Sequence, residues 1–465
     1  MPQRLSGLDA AFLYFETRSM PMNVAFTAVL DPSTVPGGYS FEEMRSHIAA
    51  RVPLVPKLRR KVVDVPFRIH HPVWVDDADY RPEHHIHLAR LDPPGDERAL
   101  ADFVADLVSR PLDRRRPLWE FWVVEGLEGG HIALAGKVHH CVVDGVSGAD
   151  LMPAFFGLAP EPEPIEPPQT PSATLPGELE LLGWSIADRV RGTVAGIGAL
   201  GRVGWATDAI RRLRLEGEPA GGTPMTAPPT PYNGAITAGR SMAFGRLPLD
   251  GVKEIRQATG AKLNDVVLTI TAGALRAHLL DLDALPDQPL VAAVPVSVRR
   301  EDQFGDLNNM VAVMFEPLRT EVADPRRRLE LTTADSAAAK REQQIVGKST
   351  LVQLTEMVDP LTTGMVWDLY SRAGMADRHR PAVNAVVSNV PGPPVPIYLG
   401  GAKALRLYPM GPVAESMGLN LTVMSYDGHL DIGLLTASAL VPDAWEVVEH
   451  VEAAYAALRQ AVGLA

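Results

Sequence analysis

Residues 117–145 read PLWEFWVVEGLEGGHIALAGKVHHCVVDG, and the period of their apolar positions is what decides the fold. From Trp119 to Glu125 bulky apolar residues alternate with others. Glu128-Gly129-Gly130 offers a turn, and His131 to His140 follows as a second strand, so the spacing predicts a β-hairpin. Neighbouring side chains on a strand point to opposite faces. His140 therefore shares a face with Val138, Gly136, Leu134 and Ile132, an apolar row with a gap at Gly136, while His139 shares the other with Lys137 and Ala135. One of the two histidines can sit in an apolar channel, and the alternation favours His140. An imidazole, with an unperturbed pKa of about 6.5, takes up and returns a proton near neutral pH, which suits a general base. Asp144 and Gly145 follow at a tight bend.

The whole chain has 465 residues, 46% hydrophobic and 22% charged, with a net charge of −12. That composition predicts a globular protein of two or three domains and gives no support to a nucleic-acid partner. Cys141 is the single cysteine, which excludes an internal disulfide framework and a cysteine-based zinc site. The N-terminus lacks the pattern of a signal peptide, and no apolar run approaches the length of a spanning helix. A cytoplasmic protein is expected, with membrane contact confined to its surface.

Along the chain, a short helix after Leu5 leads into a strand at Val24–Leu30, with helices at Glu42–Arg51, Asp96–Ser109 and Gly148–Phe156. His84, His85 and His87 stand near Asp76, Asp77 and Asp79; a strand edge on an apolar neighbour is favoured over a metal site. Residues 160–176 contain seven prolines and read as a linker. Gly177–Arg214 is helical, either a basic amphipathic face for anionic lipid or a crossover helix packed on the domains, the latter favoured because glycines interrupt it. The second half predicts strands at Arg240–Leu247, Leu290–Arg299 and Ala385–Val390, and a hairpin around Asp427-Gly428. Its helices span Leu249–Thr259, Leu263–Leu280 (capped by Asn264 or Asp265), Asp324–Lys348 and Asp443–Leu464. Mixed helices and strands in both halves make an α+β, two-layer α/β protein, divided at 1–157, 158–232 and 233–465.

The HHxxxDG pattern at His139–Gly145 resembles the active-site motif of the chloramphenicol-acetyltransferase-like superfamily. Further blocks narrow the resemblance to the bacterial wax ester synthase/diacylglycerol O-acyltransferase family: LSGLDAAFLYFE at the start, PLW at Pro117-Leu118-Trp119, TPYNGAIT, the ND block at Asn264-Asp265, PVSVR, and SNVPGP from Ser388. Cys141 stands where that family often has Ala or Lys.

The resemblance implies two chloramphenicol-acetyltransferase-like domains with the active-site tunnel at their interface, and no resident cofactor or metal. It implies transfer of a long-chain acyl group from acyl-CoA, as co-substrate, to the hydroxyl of diacylglycerol or a long-chain alcohol, at the inner membrane or a lipid-body surface. His140 is then the general base and Asp144 supports the loop with Arg299 as candidate partner. Gly145 allows the turn, and Asn264, Ser388 or Asn389 are candidate oxyanion donors. Pro117, Leu118, Trp119 and Asp265 are structural support, Trp119 as core. Less favoured are a metal held by His139, His140 and Asp144, a Cys141 nucleophile, a polyketide or sugar acceptor, and a non-catalytic acyl-lipid-binding protein.

Overall fold

The computed structural model describes residues 3–143, 151–161, 165, 177–215, 221–297, 311–346, 355–356 and 358–464. The first half builds β1 (Gln3–Arg4), α1 (Gly7–Phe15), β2 (Asn23–Asp31), α2 (Phe41–Arg51), β3 (Arg60–Val63), β4 (Val73–Asp76), β5 (Ile86–Arg90), α3 (Glu97–Ser109), β6 (Trp119–Glu125) and β7 (Ile132–His139). A helix of 38 residues, α4 (Glu178–Leu215), crosses to the second half. There follow β8 (Arg240–Pro248), α5 (Leu249–Thr259), α6 (Leu263–Asp281), β9 (Leu290–Ser297), β10 (Val311–Leu318), α7 (Pro325–Val346), α8 (Pro360–Arg372), β11 (Ala385–Val390), β12 (Tyr398–Leu399), β13 (Ala402–Met410), β14 (Leu419–Tyr426), β15 (His429–Ala437) and α9 (Ala444–Ala461).

The expected hairpin is β6–β7, antiparallel, with Trp119 opposite Val138 and Val124 opposite Ala133. Gly129 takes a φ of 73° in its turn, a conformation that glycine adopts without strain. Trp119 is completely buried, and its indole N–H donates to the Leu58 carbonyl at 2.7 Å. His85 stacks on the same indole at 4.6 Å and bonds the Trp119 carbonyl through Nδ1. The histidine-rich stretch is thus packing, as read from the sequence. Truncating a tryptophan buried like this costs about 3–5 kcal/mol.

Two six-stranded sheets carry the molecule, in the orders β12-β13-β2-β7-β6-β5 and β10-β9-β11-β14-β15-β8, with a small sheet β1-β4-β3 beside them. The first sheet takes two of its strands, β12 and β13, from the second half of the sequence: Leu407 of β13 lies opposite Ala28 of β2. A division of the chain at 232/233 therefore does not separate the strands of the two sheets.

Where β13 crosses the second sheet, contact is close. A Cβ on Gly433 would stand 2.0 Å from the Pro409 carbonyl oxygen. The buried Asp431 carboxylate accepts from the Leu407 N–H at 2.7 Å and pairs with Arg246 at 2.8 Å. Burial lifts that carboxyl to about 6, against the pull of the Leu407 bond and the Arg246 charge.

The second half is pinned by its own polar joints. Asn233 and Asn384 hydrogen-bond each other at 2.8 Å, and the Asn384 side chain also accepts from Val291 N–H and donates to the Pro228 carbonyl. The TPYNG block thus closes the sheet's end rather than facing a ligand. Asp427 and Gly428 turn the β14–β15 hairpin with φ values of 42° and 80°, the two-residue geometry that hairpins favour.

At α6 neither expected residue is the N-cap, which falls earlier, at Lys262; Asp265 instead serves the cap from the N3 position. Asp265 accepts from the Lys262 N–H at 3.0 Å. Asn264 sits inside the helix, whose N-cap is Lys262. Helix α4 is continuous despite its glycines. Two of its arginines are committed to ion pairs with other elements, Arg189 with Asp359 at 3.1 Å and Arg214 with Glu342 at 2.9 Å. These pairs fit a packed crossover better than a free basic face.

Candidate active site

Strand β7 stops at His139, and the chain turns so that Val142 N–H reaches the His139 carbonyl at 2.9 Å. The two histidines part at this point. His139 is fully buried. Its Nδ1 accepts from the Cys141 N–H at 3.1 Å, which leaves Nε2 to carry the proton toward Glu16, 3.5 Å away. Glu16 also receives Arg114 at 2.7 Å. Burial works against the charge on Glu16, but the bonds from His139 and Arg114 prevail and hold its carboxyl down at about 2.

His140 turns the other way, into a cavity of about 330 Å³, within the usual range for ligand sites. Its backbone N–H is anchored on the Met22 carbonyl at 2.7 Å. Its ring stacks on Phe12 with centroids 3.9 Å apart and planes inclined by 10°. The choice of His140 over His139 from strand alternation agrees with this placement, because Val138 and His140 both line the cavity and His139 does not.

The cavity lies between the two sheets. Phe26, Phe121 and Val138 line it from the first, and Ala293, Pro295, Val386 and Val390 from the second; Met410, Gly411 and Pro412 follow β13 along its wall. Among the described residues its lining is apolar except for four side chains: His140, Ser388, Asn420 and Thr422. The gap at Gly136 has a purpose here. A Cβ there would stand 2.2 Å from the Phe26 ring, which lies across the glycine and forms part of the wall.

Ser388 reaches the cavity, and its hydroxyl has no hydrogen bond among the described residues. Asn389, one residue on, faces away, and Asn264 is not part of the lining. Asn420 is already engaged, donating to the Pro412 carbonyl at 3.0 Å and accepting from Thr422 at 2.8 Å. Pro117, Leu118 and Trp119 are buried behind the site. Asp144, Gly145 and Arg299 lie outside the described residues.

Cys141 is buried in the core of the first sheet, and burial pushes its thiol well above the ordinary range. A thiol held protonated there makes a poor nucleophile. Among the described residues no group of three His, Cys, Asp or Glu side chains is placed to hold a metal ion.

The opening block gains a meaning that the sequence did not disclose. Ser6 caps α1 by accepting from the Asp9 N–H, Phe12 stacks on His140, and Glu16 holds His139. The spacing from Ser6 through Asp9 and Phe12 to Glu16 in LSGLDAAFLYFE puts these side chains on neighbouring turns of one helix. That periodicity was the available signal.

The comparisons with known proteins bear on this geometry. Residues 5–267 match the wax ester synthase/diacylglycerol acyltransferase catalytic domain, and residues 307–459 match the WS/DGAT C-terminal domain. A Mycobacterium tuberculosis (strain CDC 1551/Oshkosh) protein with the provisional name diacylglycerol O-acyltransferase is 36% identical, over 96% of this chain and 88% of its own. Another from that strain, provisionally diacylglycerol O-acyltransferase tgs2, is 31% identical over 98% of both chains.

Among solved structures, the wax ester synthase/diacylglycerol acyltransferase of Marinobacter aquaeolei VT8 superposes with a TM-score of 0.71 at 28% identity, covering 99% of this chain and 100% of its own. The starter condensation domain of rhizomide synthetase, solved with C8-CoA, shares the fold with a TM-score of 0.57 at 14% identity, over 100% of this chain and 94% of its own. The chain belongs to the wax ester synthase/diacylglycerol acyltransferase family, and it is an acyltransferase.

Proposed function

We propose that the protein transfers a long-chain acyl group from acyl-CoA to the hydroxyl of diacylglycerol, and to that of a long-chain alcohol, with His140 as general base. One observation carries the proposal: among the described residues, His140 is the one titratable side chain on the wall of a largely apolar cavity between the sheets. His140 takes the proton of the acceptor hydroxyl as its oxygen attacks the thioester carbonyl. The tetrahedral intermediate collapses, the carbon–sulfur bond breaks, and the imidazolium protonates the departing CoA thiolate. The hydroxyl of Ser388, which has no hydrogen bond among the described residues, is the preferred donor to the oxyanion. Asp144, Gly145 and Arg299 keep the supporting roles that the motif implies, and the reaction asks for no resident cofactor.

A sugar or polyketide acceptor would bring several hydroxyls against phenylalanine, methionine and valine walls and leave them without partners, which costs about 1–3 kcal/mol for each group. The apolar lining therefore favours glyceride and alcohol acceptors. Such substrates reside in a bilayer or lipid body, so the enzyme works from the cytoplasmic side at that surface. No helix among the described residues is long and apolar enough to cross a membrane.

The test uses purified protein, labelled palmitoyl-CoA, and either dioleoylglycerol or hexadecanol. Labelled triacylglycerol or wax ester from the wild type, and none from His140→Ala, is the expected result. Ester formation undiminished in His140→Ala would remove the general-base assignment.

A further inference from the structure

Helix α8 has its amphipathicity inverted. Leu361, Met365, Val366 and Leu369 are 49%, 67%, 65% and 66% exposed, and at 100° per residue they fall within one outward arc. Its inner face carries the polar contacts: Ser371 donates to Glu415 at 2.5 Å, beside Trp367, whose ring lies 5.2 Å from Phe15 of α1. A helix at a water-facing surface normally shows the reverse order, and a contiguous exposed apolar face marks an interaction site.

The surroundings point to one occupant. The chain as a whole carries −12, yet the segment that follows this helix presents Arg378 and Arg380, exposed and without ion pairs among the described residues. Asp368 is paired with Arg372 at 2.9 Å, and Asp377 accepts from the Ala235 N–H at 2.7 Å. An apolar face rimmed by arginines complements an anionic bilayer, with the side chains among the acyl chains and the guanidinium groups at the phosphates. The position fits the same partner: the α1 helix beneath α8 contributes Leu8 and Phe12 to the cavity wall, and Ala414 and Met417, flanking Glu415, line it too.

We infer that the exposed face of α8 is the surface by which this enzyme docks on an anionic lipid bilayer, placing its cavity next to the phase that holds its acceptor. The docking deepens the glyceride reading and rests on it for its purpose, but its measurement does not depend on turnover. The paired arginines of α4 make that helix the weaker candidate.

The experiment is co-sedimentation of the full-length protein with phosphatidylcholine vesicles, with and without phosphatidylglycerol. Wild type, Met365→Glu/Leu369→Glu and a control, Leu215→Glu, which alters an exposed leucine at the end of α4, are compared. Wild type and control are expected to bind the anionic vesicles, and the double variant to bind about tenfold or more weaker, with its melting temperature and its turnover of detergent-dispersed acceptor retained. Equal binding of the double variant, or no binding of the wild type, overturns the assignment. A wild-type dimer that the double variant cannot form, with no change on vesicles, would assign the face to a second copy instead. Vesicle binding without ester formation would leave the docking standing and remove the acyl-acceptor reading alone.

Discussion

The phenyl ring of Phe12 lies 3.9 Å from the imidazole of His140, nearly parallel to it, so a residue in the first helix sets the plane of the proposed base more than a hundred positions later. Catalysis by a positioned base is sensitive to small changes in its orientation. Phe12→Ala should lower kcat about tenfold or more, whereas Phe12→Tyr should keep most of it. Steady-state kinetics with palmitoyl-CoA separate this from a change in KM, and equal kcat values in both variants would show that the stack is only packing.

Glu16 gives a pH dependence whose sign is fixed. Its carboxyl is held down from 4.5 to about 2 in the folded protein, so the folded state binds this proton less tightly than the unfolded chain does. The resulting stabilisation is present above pH 4.5 and is lost as the pH falls toward 2. Urea unfolding between pH 3 and 7 should show a shallower acid loss for Glu16→Gln, together with lower stability at pH 7. Parallel curves for the two proteins would count against the pairing with His139 and Arg114.

Ser388 and Asn389 are adjacent in sequence and opposite in consequence. Ser388→Ala should lower kcat, with losses up to about a hundredfold for an oxyanion donor, and leave KM for acyl-CoA nearly unchanged. Asn389→Ala, whose side chain points out of the cavity, should stay within about twofold of wild type, a neutral outcome of the kind surface substitutions give. The reverse order of effects would move the oxyanion site to Asn389.

Gly136 tests the shape of the wall. With a new Cβ placed 2.2 Å from the Phe26 ring, Gly136→Ala should push that ring into the cavity and cost about 1–3 kcal/mol of stability by overpacking. A panel of acyl-CoAs from eight to eighteen carbons should show the preference moving to shorter chains, by about one or two methylene groups if the ring moves as a unit. Gly433→Ala meets backbone instead, the Pro409 carbonyl, and should reduce the yield of folded protein, read by size exclusion and circular dichroism.

Local chemistry was enough to establish a good part of this protein from sequence alone. The hairpin at Trp119–His139 and the turn at Asp427-Gly428 follow from a two-residue period and glycine conformations, which act between near neighbours. Alternation also separated His140 from His139, because the strand stays regular up to the motif.

Tertiary structure alone decided the rest. That β13 pairs with β2 in the first sheet, while Pro409 packs on Gly433 and Asp431 receives Leu407 from the second, rests on contacts between segments whose patterns say nothing of each other. Phe12 and Glu16 read as ordinary residues of a short helix until that helix is laid beside the two histidines. Helix α8 has an amphipathic period like that of any surface helix, and periodicity states how its apolar residues are spaced but not which way they face. That direction is set by what packs beneath, here Phe15 and Glu415, and only the folded chain brings them there.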